Sequence, residues 1–98
     1  DALADSMYYT TGFRAPNTSN RVAVAALLEM PRAIRTRVWR RLLIAAGAPG
    51  GQVSARHTDE CDRLLTDWHG QGPLHVPGDL RVQRSGGMVA IGPAAPDR

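Results

Sequence analysis

The sequence contains no lysine, so all twelve of its basic residues are arginine. Its single cysteine, Cys61, excludes an internal disulfide and favours a reducing, cytoplasmic location. The longest nearly uncharged apolar runs, residues 22–28 and 42–48, are too short to cross a bilayer, and the first residues lack the basic and apolar regions of a signal peptide. We therefore expect neither a disulfide-rich secreted scaffold nor a membrane-spanning protein.

The remaining composition is typical of one small domain. The chain has 98 residues, of which 43% are hydrophobic and 21% charged. A domain of this size buries only roughly 60 to 65% of the surface of its unfolded chain, which leaves little room for an enclosed active site. Because the first residue is Asp1 and not methionine, we expect the chain to be a piece of a longer protein.

The first half of the chain predicts a tail, a short strand and a helix. Residues 1–20 end in a cluster of turn formers and indicate a linker or tail. Residues 21–28 alternate valine with alanine, which favours a short strand, although the alanine content leaves a helix open. Pro31 suits the first position of a helix that runs over residues 31–46 and ends at Gly47.

The second half predicts another helix and a small sheet. Ser54 is a suitable cap for a helix that ends at Gly70, with an apolar stripe formed by Cys61, Leu64, Leu65 and Trp68. Residues 74–91 then hold short apolar segments between turn signals, and Gly86-Gly87 fits a two-residue hairpin connection. The expected fold class is α+β: a short N-terminal strand, a helical hairpin and an antiparallel sheet of two to three strands. This domain would cover residues 21–92, with a C-terminal tail over 93–98.

Histidine and cysteine provide the most chemical-looking set of side chains, at positions His57, Cys61, His69 and His75. Cys61 lies on the core stripe, and no CxxC or HxxxH pair completes a metal site. No third group that would orient a Cys-His nucleophile is evident from the spacing. We predict neither a metal site nor a catalytic centre.

Basic charge is concentrated in one segment. Residues 21–50 hold six arginines and one glutamate, a net charge of +5, whereas the next twenty residues carry −2. Two explanations are open: the acidic second helix pairs with these arginines, or they contact phosphates, for which the forked guanidinium is well suited. Trp39 lies among them, and its helical angle favours packing in the core over stacking on a base.

The element order also matches a winged helix-turn-helix, in which the second helix enters the DNA major groove. Here the second helix is net acidic and the first is basic, the reverse of what DNA phosphates would select. A sequence-specific DNA reader is therefore disfavoured.

Four stretches of the chain resemble a known family: residues 30–43 (MPRAIRTRVWRRLL), 61–72 (CDRLLTDWHGQG), 76–78 (VPG) and 82–84 (VQR). They are similar to the substrate-recognition domain that follows the catalytic domain in bacterial tRNA(Ile)-lysidine synthetases, and the likeness covers about residues 24–91. Trp39 and Cys61 replace a usual leucine and a usual valine of that family.

The resemblance implies a parent ligase that uses ATP, with magnesium, to attach lysine to the wobble cytidine of an isoleucine tRNA, forming lysidine. Its ATP site is a PP-loop of the form S-G-G-x-D-S. The only Ser-Gly-Gly of this chain, residues 85–87, continues Met-Val-Ala, so no nucleotide site is carried over. We expect this piece alone to hold no cofactor and to catalyse nothing.

The resemblance also implies partners and contact residues. The expected partners are the isoleucine tRNA with the CAU anticodon and the protein's own catalytic PP-loop domain. Arg40, Arg41 and Arg84 fall where the family carries basic residues and are the first candidates for tRNA contact. Arg32, Arg35 and Arg37 follow. In the alternative interpretation, the chain is a protein-interaction module that docks or dimerises the catalytic domain without touching RNA.

Overall fold

A computed structural model of the chain describes residues 20–93. The strands are β1 (Asn20–Ala23), β2 (Leu74–Val76), β3 (Leu80–Ser85) and β4 (Met88–Pro93). The helices are α1 (Val24–Leu28), α2 (Arg32–Ala45) and α3 (Ala55–Thr66), with a 3₁₀ turn over Gly50–Gln52 between α2 and α3. This order confirms the α+β fold class.

The four strands form one antiparallel sheet in the order β1-β4-β3-β2. The N-terminal strand therefore joins the C-terminal hairpin and pairs with β4, a long-range contact that the local sequence pattern does not specify. The hairpin turn is the expected Gly86-Gly87, with Ser85 opposite Met88. Gly86 has a φ of +60°, which the first position of a type II′ turn requires.

The N-terminal segment differs from the prediction in two ways. The strand ends at Ala23, and residues 24–28 form α1 instead of continuing the strand. The backbone N–H of Val24 donates to the carbonyl of Gly87 at 2.9 Å, so this bond closes the β1–β4 ladder where the helix begins. The strand also begins at Asn20, inside the predicted linker. The tails were predicted over residues 1–20 and 93–98; Pro93 is the last residue of β4, and residues 1–19 and 94–98 lie outside the described residues.

The two longer helices occur where they were expected, with shifted ends. Pro31 is the residue before the first turn of α2 and not its first helical residue. Ser54 caps α3 as predicted, and its backbone N–H donates to Nδ1 of His57 at 2.9 Å. α3 ends at Thr66, because Asp67 leaves helical geometry (φ −138°, ψ 47°). Trp68, assigned to the helix from its spacing, therefore lies beyond it.

One hydrophobic core joins the helices to the inward-facing side of the sheet. Trp39 is fully buried in this core, which confirms the packing interpretation of its helical angle. The largest other side chains of the core come from all layers: Leu27, Leu42, Leu43, Leu64, Leu80 and Ile91. The outward-facing positions of the strands are mostly exposed or half-buried.

The β2–β3 turn lies directly against the end of α2. Gly78, in the middle of this turn, has a φ of +90°. A Cβ atom at Gly78 would lie 2.9 Å from Cα of Ala48 and 2.9 Å from the carbonyl oxygen of Gly47, closer than real Cβ contacts. Both the backbone conformation and the contact therefore require glycine here.

Substituting Gly78 with alanine should destabilise the fold through both effects. We expect a loss of about 2–4 kcal/mol, from the left-handed φ and from backbone displacement. Gly70→Ala is the matched control, since Gly70 also has a positive φ (+83°) but no atom within 4 Å of its Cβ position. The control should lose only about 1 kcal/mol in urea unfolding. Equal losses in the two variants would contradict the close approach.

Candidate nucleic-acid interface

A buried polar cluster connects α2 to α3. The guanidinium of Arg35 donates from Nε and one terminal nitrogen to both carboxylate oxygens of Asp62, the second bond being 2.8 Å long. Nε1 of Trp39 donates to the same carboxylate at 3.1 Å. Arg35 is 7% exposed and Asp62 is 4% exposed. The carboxylate thus accepts three hydrogen bonds in the interior.

This cluster removes Arg35 from the surface to which the resemblance had assigned it. Its remaining terminal nitrogen donates to the carbonyl of Met30 at 3.1 Å, so all three nitrogens have acceptors within the protein. The hydrogen bond to Asp62 raises the pKa of Arg35 and so keeps the guanidinium charged. Pairing with the acidic helix, one of the two explanations offered for the basic segment, therefore holds for this residue.

Arg32 lies one turn before Arg35 and pairs with Asp59 at 3.5 Å. The two side chains are 71% and 47% exposed, so this ion pair adds little to stability. Together with Arg35 and Asp62, these side chains line a groove of about 400 Å³ between α2 and α3. The groove carries both charge signs and is therefore not a purely basic surface.

Arg40 is exposed but held by the backbone of the segment between the helices. Its two terminal nitrogens donate to the carbonyls of Val53, at 2.7 Å, and Gly50, at 2.9 Å. These bonds fix the direction of the guanidinium and use two of its five N–H groups.

Arg84 connects the β3–β4 hairpin to the C-terminal end of α3. Its Nε donates to the carbonyl of Gly86 and a terminal nitrogen donates to the carbonyl of Leu64, both at 2.8 Å. The guanidinium also lies 5.3 Å from the ring centroid of Trp68, within range of a cation–π contact. The Leu64 carbonyl is one of the last four of α3, which have no partner inside the helix, so Arg84 satisfies it.

Three exposed arginines share one side of α2. Arg37, Arg40 and Arg41 stand at i, i+3 and i+4, which places them on neighbouring turns, and we refer to them as the α2 basic face. Arg37 and Arg40 also border a hollow of about 270 Å³ between α2 and the start of α3. The hollow is completed by Thr36, Ser54, Ala55 and Thr58. Arg37 and Arg40 are its two charged lining residues.

The six predicted contact arginines do not form one cluster. Arg37, Arg40 and Arg41 lie together, whereas Arg32 and Arg35 border the mixed-charge groove. Arg84 contacts Leu64, nine residues along α3 from the hollow at Ala55, which corresponds to about 14 Å of helix.

Cys61 is buried in the core, whereas His57 is half-buried and His69 and His75 are exposed. Burial raises the pKa of Cys61 to about 12, with smaller effects from Glu60 and Asp62. His57 caps α3, and the backbone N–H of His69 is bonded to the Gln71 side chain at 2.8 Å. Within residues 20–93, no group of three or more His, Cys, Asp or Glu side chains is placed to hold a metal ion.

The sequence pattern did not single out Asp62 as the partner of Arg35, or Arg21 and Arg81 as the arginines on the outward side of the sheet. The signal for Asp62 was its place beside Cys61, at the edge of the apolar stripe. The signal for Arg81 was strand alternation, since it stands between the buried Leu80 and Val82 and so faces the other side of the sheet.

Among the described residues, no helix has the length and hydrophobicity needed to span a membrane.

Comparison with known proteins yields a family match and several relatives. Residues 23–89 match the family model described as the TilS substrate binding domain. A tRNA(Ile)-lysidine synthase of Streptomyces coelicolor is 48% identical over 67 residues, which cover 68% of this chain and 19% of the relative. The enzyme of Thermobifida fusca is 41% identical over 91 residues, covering 93% and 27%.

A third relative, the tRNA(Ile)-lysidine synthase of Mycobacterium tuberculosis, is 40% identical over 70 residues, covering 71% of this chain and 21% of that protein. The chain thus spans between 19% and 27% of the length of these curated relatives. No solved structure gives a significant match.

Replacing Asp62 with asparagine should test the buried cluster. The substitution keeps the shape but leaves the Arg35 guanidinium without its counter-charge, so we expect a loss of about 3–5 kcal/mol in the free energy of unfolding. Asp59→Asn, which breaks only the exposed pair with Arg32, should change stability by less than about 1 kcal/mol. Urea unfolding followed by tryptophan fluorescence measures both. A small loss for Asp62→Asn would contradict the role given to the cluster.

Proposed function

The chain belongs to the family of TilS substrate binding domains, and on this premise we propose that it recognises tRNA and performs no chemistry itself. It helps to hold the isoleucine tRNA with the CAU anticodon against a catalytic PP-loop domain of the full-length enzyme in the cytoplasm. That domain attaches lysine to the wobble cytidine with ATP and magnesium. The observation that carries the proposal is the α2 basic face.

The α2 basic face has the chemistry that a phosphate backbone requires. Helix α2 contains five arginines and no acidic residue. Arginine offers parallel N–H donors that match two phosphate oxygens, so one side chain can hold one phosphate in a defined orientation. Such contacts fix the position of a nucleic acid without reading its sequence. This fits a role in holding the tRNA while another domain acts on the base.

Arg40 is suited to such a contact because it is already oriented. Its bonds to the Val53 and Gly50 carbonyls restrict the side chain before any RNA arrives, so less side-chain entropy is lost on binding. The adjoining hollow, with Arg37 and Arg40 at its border, has space for a phosphate group. It opens at the N-terminal end of α3, where backbone N–H groups favour anions.

One observation favours the alternative, a module that docks or dimerises the catalytic domain. Ile44 is 41% exposed on the same side of α2, one turn beyond Arg40 and Arg41. An exposed aliphatic side chain beside arginines is also found in protein interfaces. The following experiment separates the two functions, since only one of them requires RNA to contact the arginines.

Charge reversal at Arg37 and Arg41 should weaken tRNA binding. Arg40 is left unchanged, because its bonds to the Val53 and Gly50 carbonyls hold the segment between the helices. For the double variant R37E/R41E we expect about tenfold weaker binding at low salt and a salt dependence shallower by about two contacts. Stability should change by no more than about 1 kcal/mol, because both positions are exposed. A salt titration of the 98-residue chain with isoleucine tRNA provides the measurement.

The matched control is R56E/R63E, which makes the same charge change at exposed positions of α3. It should bind tRNA more tightly than R37E/R41E. Equal affinities for the two variants would mean that the α2 basic face does not touch RNA, and the docking module would then be the better description.

A further inference from the structure

The sheet has a second, outward side that the proposed function does not use. We define the sheet face by six outward-pointing side chains: Arg21, His75, Arg81, Gln83, Ser85 and Met88. The helices share their core with the opposite, inward side, where Val22, Val82 and Val89 are buried. The sheet face and the α2 basic face are therefore separate surfaces of the molecule.

The ionisable side chains of the sheet face are basic. Strand register places Arg21 opposite Ala90, and Ala90 opposite Gln83 on the next strand. Arg81 stands opposite His75 on β2 and Gly92 on β4. None of the outward positions of the four strands carries aspartate or glutamate. The charge of this face is thus complementary to a polyanion.

Small residues leave space between the long polar side chains. Ala90 and Gly92 are outward-facing residues of β4, and their side chains are small or absent. Beside them lies a hollow of about 220 Å³, bordered by Arg21, Gln83, Ser85 and Met88. A smaller hollow lies beside Arg81. Gln83 and Ala90 border both hollows. Arg21 and Arg81 therefore stand at the borders of two neighbouring surface hollows.

These features favour RNA over protein as the occupant. The centre of a protein–protein interface is typically rich in aromatic and aliphatic side chains and poor in charge. On the sheet face, Met88, at 39% exposure, is the one large apolar side chain among the described outward positions. Arginine, glutamine and serine are residue types that contact phosphate oxygens and sugar hydroxyls.

We propose that the sheet face is a second RNA-backbone contact surface of this domain, with Arg21 and Arg81 as phosphate contacts and Gln83 as a hydrogen-bonding partner between them. The proposal rests on the proposed function, since it takes the bound RNA to be the same tRNA. Because the sheet face points away from the helices, it contacts a different segment of that tRNA from the one on the α2 basic face.

The test compares three double variants of the 98-residue chain in salt titrations with isoleucine tRNA: R21E/R81E, R37E/R41E and the control R56E/R63E. We expect R21E/R81E to bind about tenfold more weakly than the control, with a salt dependence shallower by about two contacts. R21Q/R81Q, which removes the charges without adding opposite ones, should show the same direction of change. Thermal unfolding identifies any variant that fails to fold. If R21E/R81E fails to fold, the tRNA affinity of R21Q/R81Q tests the proposal in its place.

Failure of the inference differs from failure of the proposed function. If R21E/R81E and R21Q/R81Q bind like the control while R37E/R41E is weakened, the sheet face does not contact RNA and the proposed function stands. If R37E/R41E binds like the control, the α2 basic face does not contact RNA, and the proposed function loses the observation on which it rests. Hydroxyl-radical footprints add a further criterion: R21E/R81E and R37E/R41E should lose protection at different nucleotides, and loss at the same nucleotides would overturn the separate contact.

Discussion

The carboxylate of Asp62 accepts hydrogen bonds from Arg35 and Trp39, and the rest of the domain depends on this contact. It fixes the rotation of α2 about its own axis, because Arg35 and Trp39 stand one turn apart and both face α3. At 3.6 residues per turn, Arg37, Arg40 and Arg41 then lie on a different side of α2 from Arg35 and Trp39. A buried structural ion pair therefore sets the direction of the arginines that we assign to RNA.

Arginine performs two different tasks in this lysine-free chain. In the first, it bonds to acceptors that the fold leaves without partners: Arg84 to the last-turn carbonyl of Leu64, and Arg40 to the loop carbonyls of Val53 and Gly50. In the second, it stands on the α2 basic face or on the sheet face, where we propose that it contacts phosphates. The fork geometry of arginine suits both tasks, since it binds two acceptors at once. A count of basic residues alone would not separate these tasks.

Local signals in the sequence predicted much of the fold. The Ser54 cap, the Gly86-Gly87 turn and the buried stripe of Cys61, Leu64 and Leu65 follow from interactions within a few residues, and all are present. Trp68, the fourth residue of the predicted stripe, lies beyond α3 and is only partly buried. The pairing of β1 with β4 did not follow, because strand partners some seventy residues apart are selected by tertiary packing. The burial of Arg35 was not predicted for the same reason: its partner comes from another helix, and the family motif marks Arg35 only as basic. The sheet face did not follow from the sequence because Arg21 joins it only through the long-range pairing of β1 with β4.

The central claim is that Arg35 serves the fold alone, whereas Arg37 and Arg41 contact RNA. It is tested most directly by NMR of the arginine Nε–Hε signals in the 98-residue chain, assigned through single Arg→Lys variants, during titration with isoleucine tRNA. The account predicts that the signals of Arg37 and Arg41 shift in proportion to bound RNA, whereas that of Arg35 stays in place. A shift of Arg35 together with unmoved signals from Arg37 and Arg41 would contradict it.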